Sequence, residues 1–160
     1  MSDRERISVN RRIPASANDI YVLITDPAMH VEIDGSGMLQ LAPDAKPLEQ
    51  IGDTFLMDMD REPLGDIPLG KYQVMNTVTR ITPDAELEWS IGGVGMDPLG
   101  HVYGFVLEAV SDGETEVVHY CDWSGVPAEM RSVLTFPVVP VHMLEQTLEN
   151  LDELARQGAG

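Results

Sequence analysis

Along RISVNRRI (residues 6–13), Ile7, Val9 and Ile13 fall on one side and Ser8, Asn10 and Arg12 on the other. This period of two predicts a half-buried strand. Pro14 ends it, Ser16 followed by Asp19 resembles a capping box, and Ala17, Ile20, Leu23 and Ile24 then recur at helical spacing. Asp26 followed by Pro27 repeats the start signal and predicts a second short helix over 27–33, stopped by DGSG at 34–37. From there to Gly125 the pattern is almost entirely that of strands. Phe55, Met57 and Met59 alternate with Leu56, Asp58 and Asp60, and Leu87, Trp89 and Ile91 alternate with Glu88 and Ser90. The stretch KYQVMNTVTRI (71–81) is apolar on both faces, which leaves open whether Met75 or Asn76 points inward, and 61–70 reads as the loop before it.

SDGE (111–114) carries the Asp-Gly centre of a two-residue hairpin turn, which pairs Leu107 with Val118, Phe105 with Tyr120 and Tyr103 with Asp122. One face of that hairpin then holds His101, Tyr103, Phe105, Leu107, Val118, Tyr120 and Asp122; a bulge would exchange the parity. The other face is also apolar, which leaves open its burial in a homodimer. The last element is a helix from about Pro140 to Arg156, with Leu144, Leu148, Leu151 and Ala155 as its apolar stripe and Glu145, Glu149 and Glu153 on a solvated side. The order is strand, two short helices, about six antiparallel strands and one long helix, without internal repeats.

The chain has 160 residues, 10 Lys+Arg and 27 Asp+Glu, for a formal net charge of −17. Such a balance argues against nucleic acid and anionic membranes, whose phosphates need clustered cations. Its length suits a single domain over 1–160. Cys121 is the lone cysteine, so no intramolecular disulfide or thiolate zinc site is expected. The N-terminus lacks the apolar core of a signal peptide, and nothing approaches the length of a membrane span, so a cytoplasmic protein without membrane insertion is expected.

Several strings carry a resemblance: RRIPASANDIYVLITDPAMHVEIDGSG, ITPDAELEW, YCDWSGVP at the end of the last strand, and FPVVPVHMLEQTLENL at the start of the helix. With the element order, they resemble the START-like (SRPBCC) superfamily, in particular small bacterial polyketide cyclase/dehydrase-like or coenzyme-Q-binding-like proteins. The resemblance covers nearly the whole chain and implies an α+β helix-grip fold. In that fold a curved seven-stranded antiparallel sheet wraps around the C-terminal helix, and an apolar cavity opens near the two short helices. The inward candidates Met57, Met59, Tyr103, Phe105, Tyr120 and Met143 either fill a core or line that cavity, and the nine methionines suit adaptable packing. The ligand-binding candidates are His30, Ile33, Asp34, Phe55, Met57, Met59, Asn76, Trp89, Tyr103, Phe105, Tyr120, Met143 and Leu144.

Two constellations could carry chemistry. His30 and Asp34 lie four apart at the end of the second helix, either as an acid/base pair or as a surface helix end whose cationic His complements the dipole. His101, Tyr103, Tyr120 and Asp122 share one hairpin face in the expected register, as a polar network or as acid and base for aldol closure or water loss. The catalytic candidates are His101, Tyr103 and Asp122. His30, His101, His119 and His142 lack metal-ligand spacing, and Asp58, Asp60 and Glu62 lack the glycine of a calcium loop, so neither metal nor cofactor is expected. GSG (35–37) and GGVG (92–95) read as turns. The leading expectation is binding or carriage of a small hydrophobic molecule such as a lipid, polyketide, isoprenoid or aromatic metabolite. The alternatives are a cofactor-independent cyclase/dehydratase-type enzyme and a regulatory interaction domain.

Overall fold

A computed structural model describes residues 5–65, 68–132 and 135–158. Strand β1 (Arg6–Ile13) leads into helices α1 (Ala17–Ile24) and α2 (Pro27–Ile33), and these are followed by β2 (Leu39–Leu41), β3 (Thr54–Asp60), β4 (Lys71–Thr82), β5 (Glu86–Gly93), β6 (Val102–Ser111), β7 (Glu114–Asp122) and helix α3 (Val141–Gly158). The strands form one antiparallel sheet in the order β1-β7-β6-β5-β4-β3-β2. This is the α+β helix-grip architecture: the sheet curves around α3, and α1 and α2 connect one edge strand to the other.

Local chemistry fixes the short helices where the sequence places them. Ser16 Oγ accepts from the Asp19 N–H to cap α1, and Asp26 Oδ1 accepts from the Ala28 N–H to cap α2. The α3 stripe Leu144, Leu148, Leu151 and Ala155 is buried, and α3 packs on β1 and β7. Two polar residues share that buried side, Thr147 and Asp152, and the Asp152 carboxylate accepts from Arg11 Nε of β1 and Arg156 Nε, each at 2.7 Å. Burial pushes its pKa up, but the Arg156 and Arg11 guanidiniums outweigh that and hold it below its ordinary value.

The mouth of the grip is fixed by a close approach. A Cβ on Gly35 would run into the Met143 carbonyl of α3, so only glycine lets this turn lie there. The Gly35 N–H donates to Thr147 Oγ1 at 2.9 Å and Asn150 Nδ2 donates to the Ile33 carbonyl at 3.1 Å, tying the end of α2 to α3.

The β6–β7 hairpin corrects the expected register. Ser111 faces Glu114 across the turn as the sequence predicts, but a bulge between Ala109 and Ser111 moves every later pair by one, so Tyr103 faces Cys121, Gly104 faces Tyr120 and Phe105 faces His119. Neither Asp112 nor Gly113 has the positive φ of a primed turn, and the bulge accommodates the splay that an unprimed turn imposes on the strands. His119, Cys121 and Trp123 therefore share the concave face with Tyr103 and Phe105, while Tyr120 and Asp122 lie on the convex face. In β4 the ambiguity resolves in favour of Asn76, which is buried, whereas Met75 is half-buried.

Candidate functional site

Between the concave face of β3–β6, α2 and the first turns of α3 lies a cavity of about 300 Å³. Its wall is mostly apolar. Met57 and Met59 reach it from β3, Asn76 from β4, Trp89 from β5, Tyr103 and Phe105 from β6, and Leu144 from α3. His30, Ile33 and Asp34 line it at the end of α2, and His101 lines it just before β6.

Four candidates sit elsewhere. Phe55 is buried beside His30 and Trp89, with ring centroids 5.4 Å and 6.2 Å away, and is not part of the wall. Met143 packs half-buried against the core while its neighbour Leu144 takes the wall position. Tyr120 and Asp122 are displaced by the bulge. The Tyr120 phenol crosses Gly104, where a Cβ would strike it, and donates to Glu88 Oε1 at 2.7 Å, while the Arg6 guanidinium stacks 3.9 Å above its ring. Asp122 accepts from Arg6 at 3.3 Å and from the Ser124 hydroxyl at 2.6 Å. The proposed four-residue constellation is thus split between the two faces of the sheet.

His119 replaces them on the concave side. Its ring stacks on Phe105 with centroids 4.2 Å apart and planes at 12°, within an aromatic layer that includes Trp89, 6.0 Å from Phe105. Its Nδ1 lies 2.9 Å from the Gly104 carbonyl; since a carbonyl only accepts, Nδ1 carries the proton and Nε2 is left as the acceptor of the neutral ring. Burial lowers its pKa to about 4.

His30 is not at the surface, and its hydrogen-bond partner is a backbone carbonyl rather than Asp34. It is buried, and its Nε2–H donates to the Ile24 carbonyl at 2.7 Å. Burial lowers its pKa, with that hydrogen bond and Asp26 and Asp34 opposing. Asp34 instead organises the turn after α2, accepting from the Ser36 N–H at 2.9 Å, the Ser36 hydroxyl at 2.7 Å and the Leu39 N–H at 3.0 Å.

His101 is buried, its ring edge-on to Phe136 at 5.2 Å and to Tyr103 at 6.0 Å. Burial first, and then the positive charge of Arg61, lower its pKa to about 4. Burial, and then the neighbouring Cys121 thiol, push the Tyr103 phenol well above its ordinary range, so it stays protonated. Two polar atoms on this wall have no hydrogen-bond partner among the described residues: Asn76 Oδ1 and His101 Nδ1, on side chains that are each 4% exposed. The two lysines, Lys46 and Lys71, are exposed and away from the wall.

Arg61 is a further wall residue, 5% exposed, which sequence reasoning assigned to a loop. Its signal was legible, because it continues the inward parity of Phe55, Met57 and Met59. Thr147, one helical turn from Leu144, also lines the cavity. His119 had no comparable signal without knowledge of the bulge. Among the described residues no group of His, Cys, Asp and Glu is arranged to hold a metal ion, and no helix is long and apolar enough to cross a membrane.

No protein-family profile matches the chain. In sequence it is similar to the uncharacterized protein Rv0088 of Mycobacterium tuberculosis, 28% identical over 123 residues, which are 77% of this chain and 50% of that one. The uncharacterized protein MT0096 of another strain of that organism is 27% identical over 123 residues, with the same coverage. The chain spans about half the length of these curated relatives. Its fold is similar to that of protein NE0264 from Nitrosomonas europaea (TM-score 0.68, 15% identity, 99% of each chain covered). It is also similar to a norcoclaurine synthase point mutant from Thalictrum in complex with a transition-state analogue (TM-score 0.62, 12% identity, 97% of this chain and 96% of that one). The AHSA1-like protein from Aeromonas hydrophila has a TM-score of 0.60 at 14% identity, covering 96% of this chain and 94% of that one. The helix-grip fold of the START-like resemblance is therefore shared with solved structures along nearly the entire chain.

Proposed function

We propose that this chain binds a small, largely apolar, ring-containing molecule in the cavity between the sheet and α3. The observation that carries this reading is a cavity of about 300 Å³ whose mainly apolar wall holds two buried polar atoms without hydrogen-bond partners among the described residues. A wall that served only as core would bury neither, since an unpaired buried polar group is destabilising by about 1–3 kcal/mol. Apolar burial supplies the affinity, and the few polar groups set orientation. The aromatic rings of Trp89, Tyr103 and Phe105 on the wall suit a ring-containing ligand. The Thalictrum protein of the same fold, in complex with a transition-state analogue, provides a parallel for a small molecule held by this architecture.

Native mass spectrometry of protein purified from its own host, repeated after solvent extraction, tests this directly. A stoichiometric small molecule released by extraction is the expected result. An empty protein that also fails to take up any apolar aromatic would overturn the reading.

A second reading, cofactor-independent acid/base catalysis, draws on one observation: neutral His101 and protonated Tyr103 line the same cavity, with rings 6.0 Å apart. There His101 would accept a proton and the Tyr103 phenol would hydrogen-bond a carbonyl. Asp122 has no part in it. Turnover of an aromatic polyketide mimic that disappears in His101→Phe and persists in Asp122→Asn would select this reading over simple carriage.

A further inference from the structure

The cavity is walled by different means on different sides. Strands β3–β6 close one side as a continuous antiparallel ladder, and α3 closes another as an 18-residue helix. The remaining side is the end of α2 and the turn after it, where Ile33, Asp34, Ser36, Met38 and Leu39 line the space. Within this turn the bonding is dense. The Asp34 carboxylate accepts from the Ser36 N–H, the Ser36 hydroxyl and the Leu39 N–H, and Ser36 Oγ accepts from the Met38 N–H at 3.1 Å, so residues 34–39 hold their shape as one unit. The unit is tied to β3, because the Met38 carbonyl accepts from the Asp60 N–H at 2.8 Å and Leu39 pairs with Met59. Through α2 it is tied to α1, where the His30 ring donates to the Ile24 carbonyl.

Its junction with α3 is sparse by comparison. Among the described residues two hydrogen bonds cross it, from the Gly35 N–H to Thr147 Oγ1 and from Asn150 Nδ2 to the Ile33 carbonyl. At its centre Gly35 rests on the Met143 carbonyl, and a glycine has no side chain to interlock with the helix. Parting there requires no change of rotamer at position 35 and exposes little apolar surface of that residue. We propose that this seam is the door of the cavity: the turn at 34–39 swings on its β3 side, parts from α3 by releasing Thr147 and Asn150, and so sets how fast a molecule enters and leaves. The door presupposes the cavity-binding reading above and adds how access to the same site is controlled. It governs rates and not affinity. While the closed form predominates, a weaker seam opens more often in empty and loaded protein alike, so association and dissociation accelerate together and Kd is unchanged. Loss of a wall contact acts differently, raising Kd mainly through faster dissociation. The rival entrance is the β5–β6 loop, where Val94 and Met96 are exposed beside the wall residue Gly93.

Stopped-flow mixing with N-phenyl-1-naphthylamine, an uncharged dye that brightens on leaving water, measures both rates. Asn150→Leu removes one bond of the seam from a residue that is off the wall. It should raise the association and dissociation rate constants together, each about fivefold, at unchanged Kd. Gly35→Ala, whose added Cβ runs into the Met143 carbonyl, should accelerate both in the same way and tests the seam independently of position 150. Val94→Ser should alter neither rate. Unchanged rates in both seam variants, a raised Kd at an unchanged association rate, or acceleration in Val94→Ser instead would each overturn the door while leaving the cavity reading intact. Failure of the wild-type protein to bind the dye would overturn both.

Discussion

At one end of the grip, Leu148, Leu151 and Ala155 of α3 are packed into the core with Ile13, Leu107 and Val117, all 5% exposed or less. At the other, Leu144 and Thr147 of the same helix look onto open space walled by β3, β4 and β5. The difference follows from width. Helix α3 packs on β1 and β7, and a single helix is too narrow to fill the concavity that the remaining strands enclose. Polar groups divide in the same way. At the filled end the buried Asp152 carboxylate is matched by Arg11 and Arg156, while at the open end Asn76 Oδ1 and His101 Nδ1 have no partner among the described residues. One end has the properties of a core and the other those of a cavity wall, although both are built from the same helix and sheet.

The largest effect that should separate the ends is a truncation at each. Leu148→Ala removes a side chain that is 1% exposed and should lower unfolding free energy by about 2–5 kcal/mol, leaving ligand affinity unchanged. Met57→Ala, on the cavity wall, should cost less because its surroundings already border open space, and should alter ligand affinity instead. Denaturant melts paired with ligand titrations check both.

Acid should act on the ends in sequence. The buried histidines of the open end, His30, His101 and His119, have lowered folded pKa values, so the unfolded chain binds protons first. Their stabilisation is complete above the unfolded value of about 6.5 and is lost as pH falls to about 4, on the order of 3 kcal/mol each for His101 and His119. Asp152, whose pKa is lowered, contributes only above the ordinary carboxylate value and is lost as pH falls below it. Urea unfolding from pH 8 to pH 3 should therefore show an early loss that His119→Phe diminishes and Asp152→Asn does not.

Smaller effects test the hairpin register. Tyr120→Phe should cost about 1 kcal/mol, through loss of the 2.7 Å bond to Glu88, and leave ligand affinity untouched. Asp122→Asn weakens a partly exposed pair with Arg6 and should change stability by less than about 1 kcal/mol, again without effect on binding. A ligand affinity that responded to either would contradict the placement of both residues on the convex face.

What the sequence makes legible is governed by how local the determining physics is. Caps at Ser16 and Asp26, the proline start of α2 and the stripe of α3 are short-range features, and the structure has them where the pattern puts them. The wall residues of β3 and β5 follow from strict alternation. Tyr120 and Asp122 do not follow, because one bulged residue at 109–111 reverses parity for the whole of β7, and bulge formation depends on turn geometry that Asp-Gly alone does not determine. Asn76 lay in a strand apolar on both faces, where only the tertiary packing chooses a side. His30 illustrates a different gap: spacing puts it near Asp34, but burial and the Ile24 carbonyl decide its role.

Trp89 lines the cavity, whereas Trp123, the other tryptophan, stacks on Phe136 at 6.4 Å and lies off the wall. Fluorescence titration with bromocyclohexane, a transparent heavy-atom quencher, thus tests the central claim through two single-tryptophan proteins. The account predicts saturable, one-to-one quenching in Trp123→Phe, where Trp89 alone reports, and only weak linear quenching in Trp89→Phe. Linear quenching of equal slope in both would mean that the open end admits no ligand, and would contradict the account.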